Sequence, residues 1–287
     1  MLYRKLGNTE VRIPVIGQGT WKYGEDKKRE KEDVESLRFV IHHGLTLIDT
    51  AEEYGNGGAE KIVGQAIDGI RDDIFLVTKV SARNCSYQGV LRAAEASLER
   101  LKTNHIDLYL QHWPSQQHEV SETMAAMVEL VRKGYVKYIG VSNFSIQLMK
   151  EAKNHLGSVP LMCNQVPYHL HDRSIEAQII PFAERTKMTI MGYSPFGFAP
   201  HIHIMGMNGF PKEGSIERNI LNTIGSKHGK TAYQVVLNWV LRQRSLVTIP
   251  KAANKEHIVD NINALGWELE QEDIEQIERY FPLFKKD

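Results

Sequence analysis

The sequence predicts a (β/α)8 barrel, and three observations carry that reading. Eight short apolar runs recur along 287 residues, each too short for a helix of ordinary length and most rich in β-branched residues. Helical patterns alternate with them, as in proteins whose parallel strands are joined by helical crossovers. No linker-like run of Pro, Gly or Ser and no low-complexity tract interrupts the series. Barrels of this length are often undivided, so residues 1–287 read as one domain.

In order, the expected strands are IPVIGQGTW (13–21), LTLIDTA (45–51), IFLVTKV (74–80) and IDLYLQHW (106–113). They continue with YIGVSNF (138–144), LMCNQVPY (161–168), TIMGYSPF (189–196) and SLVTIPKA (245–252). Between them, EKEDVESLRFVIHHG sets Val34, Leu37 and Ile41 at helical spacing and offers Gly44 as a C-cap. AEKIVGQAIDGI, GVLRAAEASLERLK, SETMAAMVELVRKG, SIQLMKEAKNHLG and SIEAQIIPFAERTK extend the alternation, and residues 215–244 have room for two helices. A doubly wound open sheet is the competing architecture. It would usually carry a Gly-rich phosphate turn after its first strand, and GQGTWK does not complete G-x-G-x-x-G.

Composition narrows the function classes. Acidic and basic residues balance at 35 each, which points to neither nucleic acid nor a membrane surface as partner. No run is long and apolar enough to span a bilayer, and MLYRKLGNTEV lacks a signal-peptide core. Cys85 and Cys163 form neither a metal-like spacing nor a disulfide framework, so a cytoplasmic protein with reduced thiols is expected.

Polar residues stand where the apolar runs stop: Asp49, Lys79, His112, Asn143, Gln165, Tyr193 and Lys251. In a barrel these C-terminal strand ends surround one mouth, where barrel enzymes keep their chemistry. Each has a plainer reading alone. Asp49 with Thr50, and likewise Asn143, would cap helices; Lys79 would be a partly solvated charge; Tyr193 would be a packed turn aromatic. Together they place many hydrogen-bonding groups around one cavity, which is costly unless they meet a ligand or each other. Tyr54, five residues beyond Asp49, completes a chemical set. A nearby ammonium should lower the phenol's ordinary pKa of about 10. The aspartate would hold that ammonium, and the tyrosine would exchange a proton with a carbonyl or alcohol oxygen while the histidine oriented it. No side chain supplies hydride, so a cofactor must.

GQGTW, DTAEEYGN, VTKV, LYLQHWP, GVSNF, NQVPYH, GYSPFG and IPKAANKEHIVDN stand in this order at the ends of the expected strands. Through these motifs the chain resembles the aldo-keto reductase family from its first residues to about residue 265. YRKLGNTEVRIP is similar to the family's N-terminal hairpin, which closes the bottom of the barrel. The resemblance implies NADP(H)-dependent interconversion of aldehydes or ketones with alcohols, with NAD(H) as a second cofactor. It implies Asp49, Tyr54, Lys79 and His112 as the catalytic tetrad, with Tyr54 the general acid. Ser142, Asn143 and Gln165 would hold the nicotinamide carboxamide, and Tyr193 would stack on its ring. Ser194, Pro195, Phe196 and Gly197 would follow the pyrophosphate, while Lys251, His257, Asp260 and Asn261 would serve the adenosine end. Trp21, Tyr23 and Trp113 would wall the substrate pocket. Many NADP-preferring members carry Ser and Arg where this chain has Ala252 and His257, which weakens the expected preference for NADP.

The expected partner is a small carbonyl or alcohol substrate, and a monomer is expected. The tail ELEQEDIEQIERYFPLFKKD reads as one short helix, too short to build an elaborate steroid pocket. Small aldehydes, sugar aldehydes and keto acids all remain open. Two rival readings keep the same fold. One is a cofactor-binding sensor, as in relatives of potassium-channel β subunits. The other is a metal-dependent hydrolase using the paired histidines of HLH (169–171) and HIH (201–203), which lack a carboxylate partner at the last strand.

Overall fold

The computed structural model describes residues 1–197 and 209–283. Eight parallel strands run in sequence order: β3 (Gln18–Gly19), β4 (Leu47–Asp49), β5 (Phe75–Val80), β6 (Ile106–Gln111), β7 (Val136–Ser142), β8 (Leu161–Pro167), β9 (Thr189–Tyr193) and β10 (Leu246–Thr248). The ends of the sheet meet. Gly17 N–H donates to Thr248 O, and Thr248 N–H donates to Val15 O, each at 2.8 Å. The fold is a (β/α)8 barrel, as the alternation of patterns predicts.

One expected strand is divided. Within 13–21, β2 (Arg12–Pro14) turns away to pair antiparallel with β1 (Tyr3–Lys5), Val15–Gly17 bridge to Thr248 at the seam, and Gln18–Gly19 pair with β4. The hairpin stoppers the barrel because its apolar residues face inward. Leu6 and Ile13 are fully buried and pack with Leu47, Val77, Leu108 and Met191 inside the ring of strands. Arg4 fastens the hairpin from outside by donating to the carbonyls of Gln243 (2.6 Å), Leu241 (2.5 Å) and Leu246.

Helices cover the outer face. Glu30–His42 buries Val34, Leu37 and Ile41 and is followed by Gly44 in the left-handed region, the C-terminal signal expected of it. Two helices, Ile216–His228 and Ala232–Leu241, fill the long interval before β10. The pattern over SIEAQIIPFAERTK is broken into a single turn at Ser174–Glu176 and a helix at Ile179–Thr186. The tail forms the helix Gln271–Tyr280, held to the preceding helices by Asp273, which accepts from Lys227 at 3.0 Å. Among the described residues no helix is long and apolar enough to cross a membrane.

Candidate active site

Strand β4 delivers Asp49 to the mouth, and β5 delivers Lys79 beside it. Both are buried, at 2% and 0% exposure, so each charge needs a close partner. Lys79 Nζ donates to Asp49 Oδ2 (2.9 Å), to Thr50 O (2.7 Å) and to Tyr54 Oη (3.2 Å). Those three bonds use all three ammonium protons. The other Asp49 oxygen accepts from Gln165 Nε2 at 2.8 Å, which ties β4 to β8 across the barrel.

Tyr54 opens the tight turn Tyr54–Gly57, in which Gly55 and Asn56 have left-handed backbones. The turn is clamped against the loop after β3. A Cβ on Gly24 would lie 2.5 Å from the carbonyl carbon of Gly58, so only glycine permits this approach. The phenol titrates opposite to expectation. Burial raises the Tyr54 pKa, and Lys79 only partly offsets it because Asp49 and Glu53 also disfavour the phenolate. Burial alone would depress the Lys79 ammonium, but Asp49 and Tyr54 outweigh it and leave its pKa raised. The phenol therefore keeps its proton, and the lysine its charge, across the neutral range.

His112 follows β6, its N–H bonded to Val80 O at 2.9 Å. The imidazole stands edge-on to Tyr54, with ring centroids 5.6 Å apart. Nδ1 approaches Glu53 Oε2 at 3.3 Å without hydrogen-bond alignment, a contact that is ionic only when the ring is protonated. Burial lowers the His112 pKa, Glu53 opposes the shift, and Lys79 reinforces it. Glu53 itself is held down to about 2, first by His112 and then by Ser81, whose Oγ donates to Oε1 at 2.7 Å.

The far wall is a chain of hydrogen bonds from β7 to β9. Ser142 Oγ donates to Gln165 O (2.9 Å), Asn143 Nδ2 to Ser142 Oγ (3.0 Å) and His112 O (3.2 Å), and Tyr193 Oη to Asn143 Oδ1 (2.9 Å). Asn143 and Ser194 both have positive φ, 62° and 52°, a backbone that side chains other than glycine adopt only where their surroundings enforce it. Gly197 N–H donates to Ser194 O at 2.8 Å, closing a turn.

These groups line one cavity of about 790 Å³. Around it stand Asp49, Tyr54, His112, Ser142, Asn143, Gln165, Tyr193, Ser194, Pro195, Phe196 and Lys251, with Trp21 and Trp113 at the walls. Lys79 reaches it through Tyr54. Tyr23 does not line it, which corrects that expectation. Its ring is buried at 1% exposure, and its hydroxyl donates to Ala252 O at 2.8 Å behind the wall. Nor do His257, Asp260 and Asn261 line it. His257 is exposed on the helix Lys255–Ile262 and Asn261 is buried in it. Asp260 accepts from Thr231 Oγ1 (3.1 Å) and Gln234 Nε2 (2.7 Å) and borders a separate shallow cleft with Lys255 and Glu256.

Sequence reasoning missed Lys22, Glu25 and Glu53, which also line the cavity. Glu53 stood within the motif DTAEEYGN, but its partner lies at the end of β6, beyond the reach of local pattern. Of the paired histidines, HIH (201–203) lies outside the described residues. In HLH, His169 is buried and its Nδ1 accepts from His171 N–H at 3.2 Å. No group of three or more metal-ligating side chains occurs among the described residues.

Residues 15–280 match the model of the aldo/keto reductase family. The chain belongs to that family. It is 40% identical to methylglyoxal reductase YeaE of Escherichia coli over 273 residues, covering 95% of this chain and 93% of the relative. Glyoxal reductase of Bacillus subtilis is 32% identical over 93% of this chain and 89% of its own length. Among solved structures, an aldo/keto reductase from Klebsiella pneumoniae in complex with NADP and acetate superposes with a TM-score of 0.86. It is 35% identical, with 99% of this chain and 97% of that one covered.

Proposed function

We propose that this aldo/keto reductase uses NADP(H), and NAD(H) less well, to reduce small carbonyl compounds, with Tyr54 as the general acid. One observation carries the reading: Lys79 Nζ bonds at once to Asp49 and to Tyr54 Oη, and Tyr54 stands with His112 on the wall of one cavity. Relatives named for methylglyoxal and glyoxal reduction favour short dicarbonyls as the substrate class.

The cavity suits a nicotinamide cofactor. Asn143 and Gln165 bring two side-chain amides to its far wall, and the ring of Tyr193 lies on that wall with them. Asn143, Gln165 and Ser142 would hold the carboxamide, and Lys251 with the turn at 194–197 would meet the phosphates. When bound, the reduced nicotinamide supplies hydride to the carbonyl carbon. Lys79 donates to the Tyr54 oxygen, so the phenolic proton stays available for a substrate oxygen. As that oxygen gains charge, Tyr54 gives up its proton, and the adjacent ammonium stabilises the phenolate left behind. Asp49 keeps the ammonium charged and aimed. Trp21 and Trp113, on the cavity wall, would limit the bulk of the substrate.

The test is consumption of NADPH with methylglyoxal, glyoxal and a panel of larger aldehydes, repeated with NADH. Turnover fastest on the short dicarbonyls supports the reading. Tight NADPH binding with no single-turnover oxidation by any carbonyl would instead favour a sensor. Activity abolished by chelation and restored by zinc would favour a metal-dependent reaction.

A further inference from the structure

We propose that Glu53 is a positioning residue that holds the proton of the His112 ring on Nδ1, and so makes carbonyl reduction depend on the imidazolium. The inference rests on the functional reading above and extends it to a residue with no role in that reading. Nδ1 is sealed from solvent, and Glu53 Oε2 stands 3.3 Å from it. A neutral ring protonated only on Nε2 would turn a lone pair toward a carboxylate oxygen. Even without hydrogen-bond alignment, a lone pair 3.3 Å from a carboxylate oxygen is repelled and an N–H is attracted, so the carboxylate favours the proton on Nδ1. Ser81 Oγ at 2.7 Å and Arg83 Nη2 at 3.3 Å favour the ionised Glu53, which leaves the proton on nitrogen.

The consequence falls on the other ring nitrogen. With Nδ1 sealed, Nε2 is the nitrogen a substrate in the cavity can reach. In the neutral ring with Nδ1 protonated, Nε2 is an acceptor. It repels a carbonyl oxygen but accepts from an alcohol hydroxyl. In the imidazolium both nitrogens donate, and Nε2–H polarises the carbonyl. Reduction adds hydride at carbon and the Tyr54 proton at oxygen, while the His112 proton stays on the ring. The charged and titratable groups facing the imidazole are Glu53, Asp49, Lys79 and Tyr54, and Trp113 lies nearly parallel to the ring at 6.4 Å. Lys79 and Asp49 are paired with each other, and Ser81 and Arg83 bond the other Glu53 oxygen, which leaves Glu53 Oε2 beside the ring.

Nitrogen-15 spectra of histidine-labelled protein, with His112 assigned by its loss in His112→Asn, test the proton's place directly. The parent should show Nδ1–H in the neutral ring. Glu53→Gln, whose amide can donate to Nδ1, should move the proton to Nε2. Glu53→Leu should remove the bias if Glu53→Gln fails to fold, and NADPH binding checks the fold of each. Reduction of methylglyoxal should then show its own signature. In the parent, kcat/KM should rise on the order of tenfold from mildly alkaline to mildly acidic pH, the effect of gaining one charge-assisted hydrogen bond. In Glu53→Gln the profile should flatten. An Nε2–H ring in the parent, or superimposable pH profiles in parent and Glu53→Gln, would overturn the proposal. A parent without any turnover would sink the functional reading and the pH dependence together, while the spectra would still fix where the ring proton lies.

Discussion

Lys79 Nζ lies 3.2 Å from the phenolic oxygen of Tyr54 and 2.9 Å from Asp49 Oδ2. The lysine thus touches both the group that holds its charge and the group that would use it. Burial explains why both contacts matter. A fully buried ammonium without its carboxylate would tend to lose its proton, and a neutral amine would stabilise no phenolate.

Tyr54→Phe removes the proton donor and keeps the ring against His112. The expected result is a fall in kcat on the order of 10²-fold or more, the scale of general acid catalysis. NADPH affinity should be nearly unchanged, because the amide wall from Ser142 to Tyr193 does not include the phenol. A variant that reduces methylglyoxal at the parent's rate would show that another group supplies the proton.

Lys79→Met should destabilise the fold as well as abolish turnover. It leaves Asp49 buried with only Gln165 as a partner, and breaking a buried pair from one side costs about 3–5 kcal/mol. Asp49→Asn combined with Lys79→Met removes both charges and should recover most of that stability without recovering activity. Thermal unfolding of the two single variants and the double variant measures the coupling. Simple additivity of the two losses would mean the pair contributes no joint stability.

The strand ends were legible because period and length mark where a buried strand stops. Asp49, Lys79, Asn143 and Gln165 meet in the barrel without any knowledge of loop conformation. Tyr23 and Glu53 were not legible, because both sit in turns whose side-chain directions depend on distant partners. Tyr23 turns inward because Ser36 and the Ala252 carbonyl offer its hydroxyl a buried site. The split of 13–21 between hairpin and barrel was hidden for a related reason: both halves bury apolar residues, so composition cannot separate them. The raised pKa of Tyr54 depends on how deeply the phenol is buried, which no local pattern reports.

His257→Arg tests the adenosine end. His257 is exposed on the helix Lys255–Ile262 and lies apart from the main cavity. If the 2′-phosphate of NADPH rests against this helix, a permanent guanidinium there should tighten NADPH by roughly tenfold, the value of one charge-assisted hydrogen bond. NADH, which lacks that phosphate, should bind as before. Dissociation constants for both cofactors decide it, and equal gains for the two would place the phosphate elsewhere.

The last prediction concerns acid stability, and it rests on Asp107 at the start of β6. The carboxylate is 5% exposed and accepts from Leu76 N–H (2.9 Å), Arg71 Nη2 (2.7 Å) and Lys137 Nζ (2.9 Å). Burial works against the ionised form, but these three donors outweigh it and leave the pKa lowered. A depressed folded-state value means that the unfolded chain binds this proton first as pH falls. The stabilisation is therefore complete above the ordinary aspartate value of about 3.9 and disappears as pH drops through the lower folded value. Asp107→Asn should cost about 1.5–3 kcal/mol at neutral pH, the range for hydrogen bonds to charged groups. The difference between parent and variant should hold steady down to about pH 4 and shrink below it. Denaturant titrations at a series of pH values measure that difference. A gap that widens with acid, or closes well above the aspartate range, would show that Asp107 is not the group whose protonation loosens this end of the barrel.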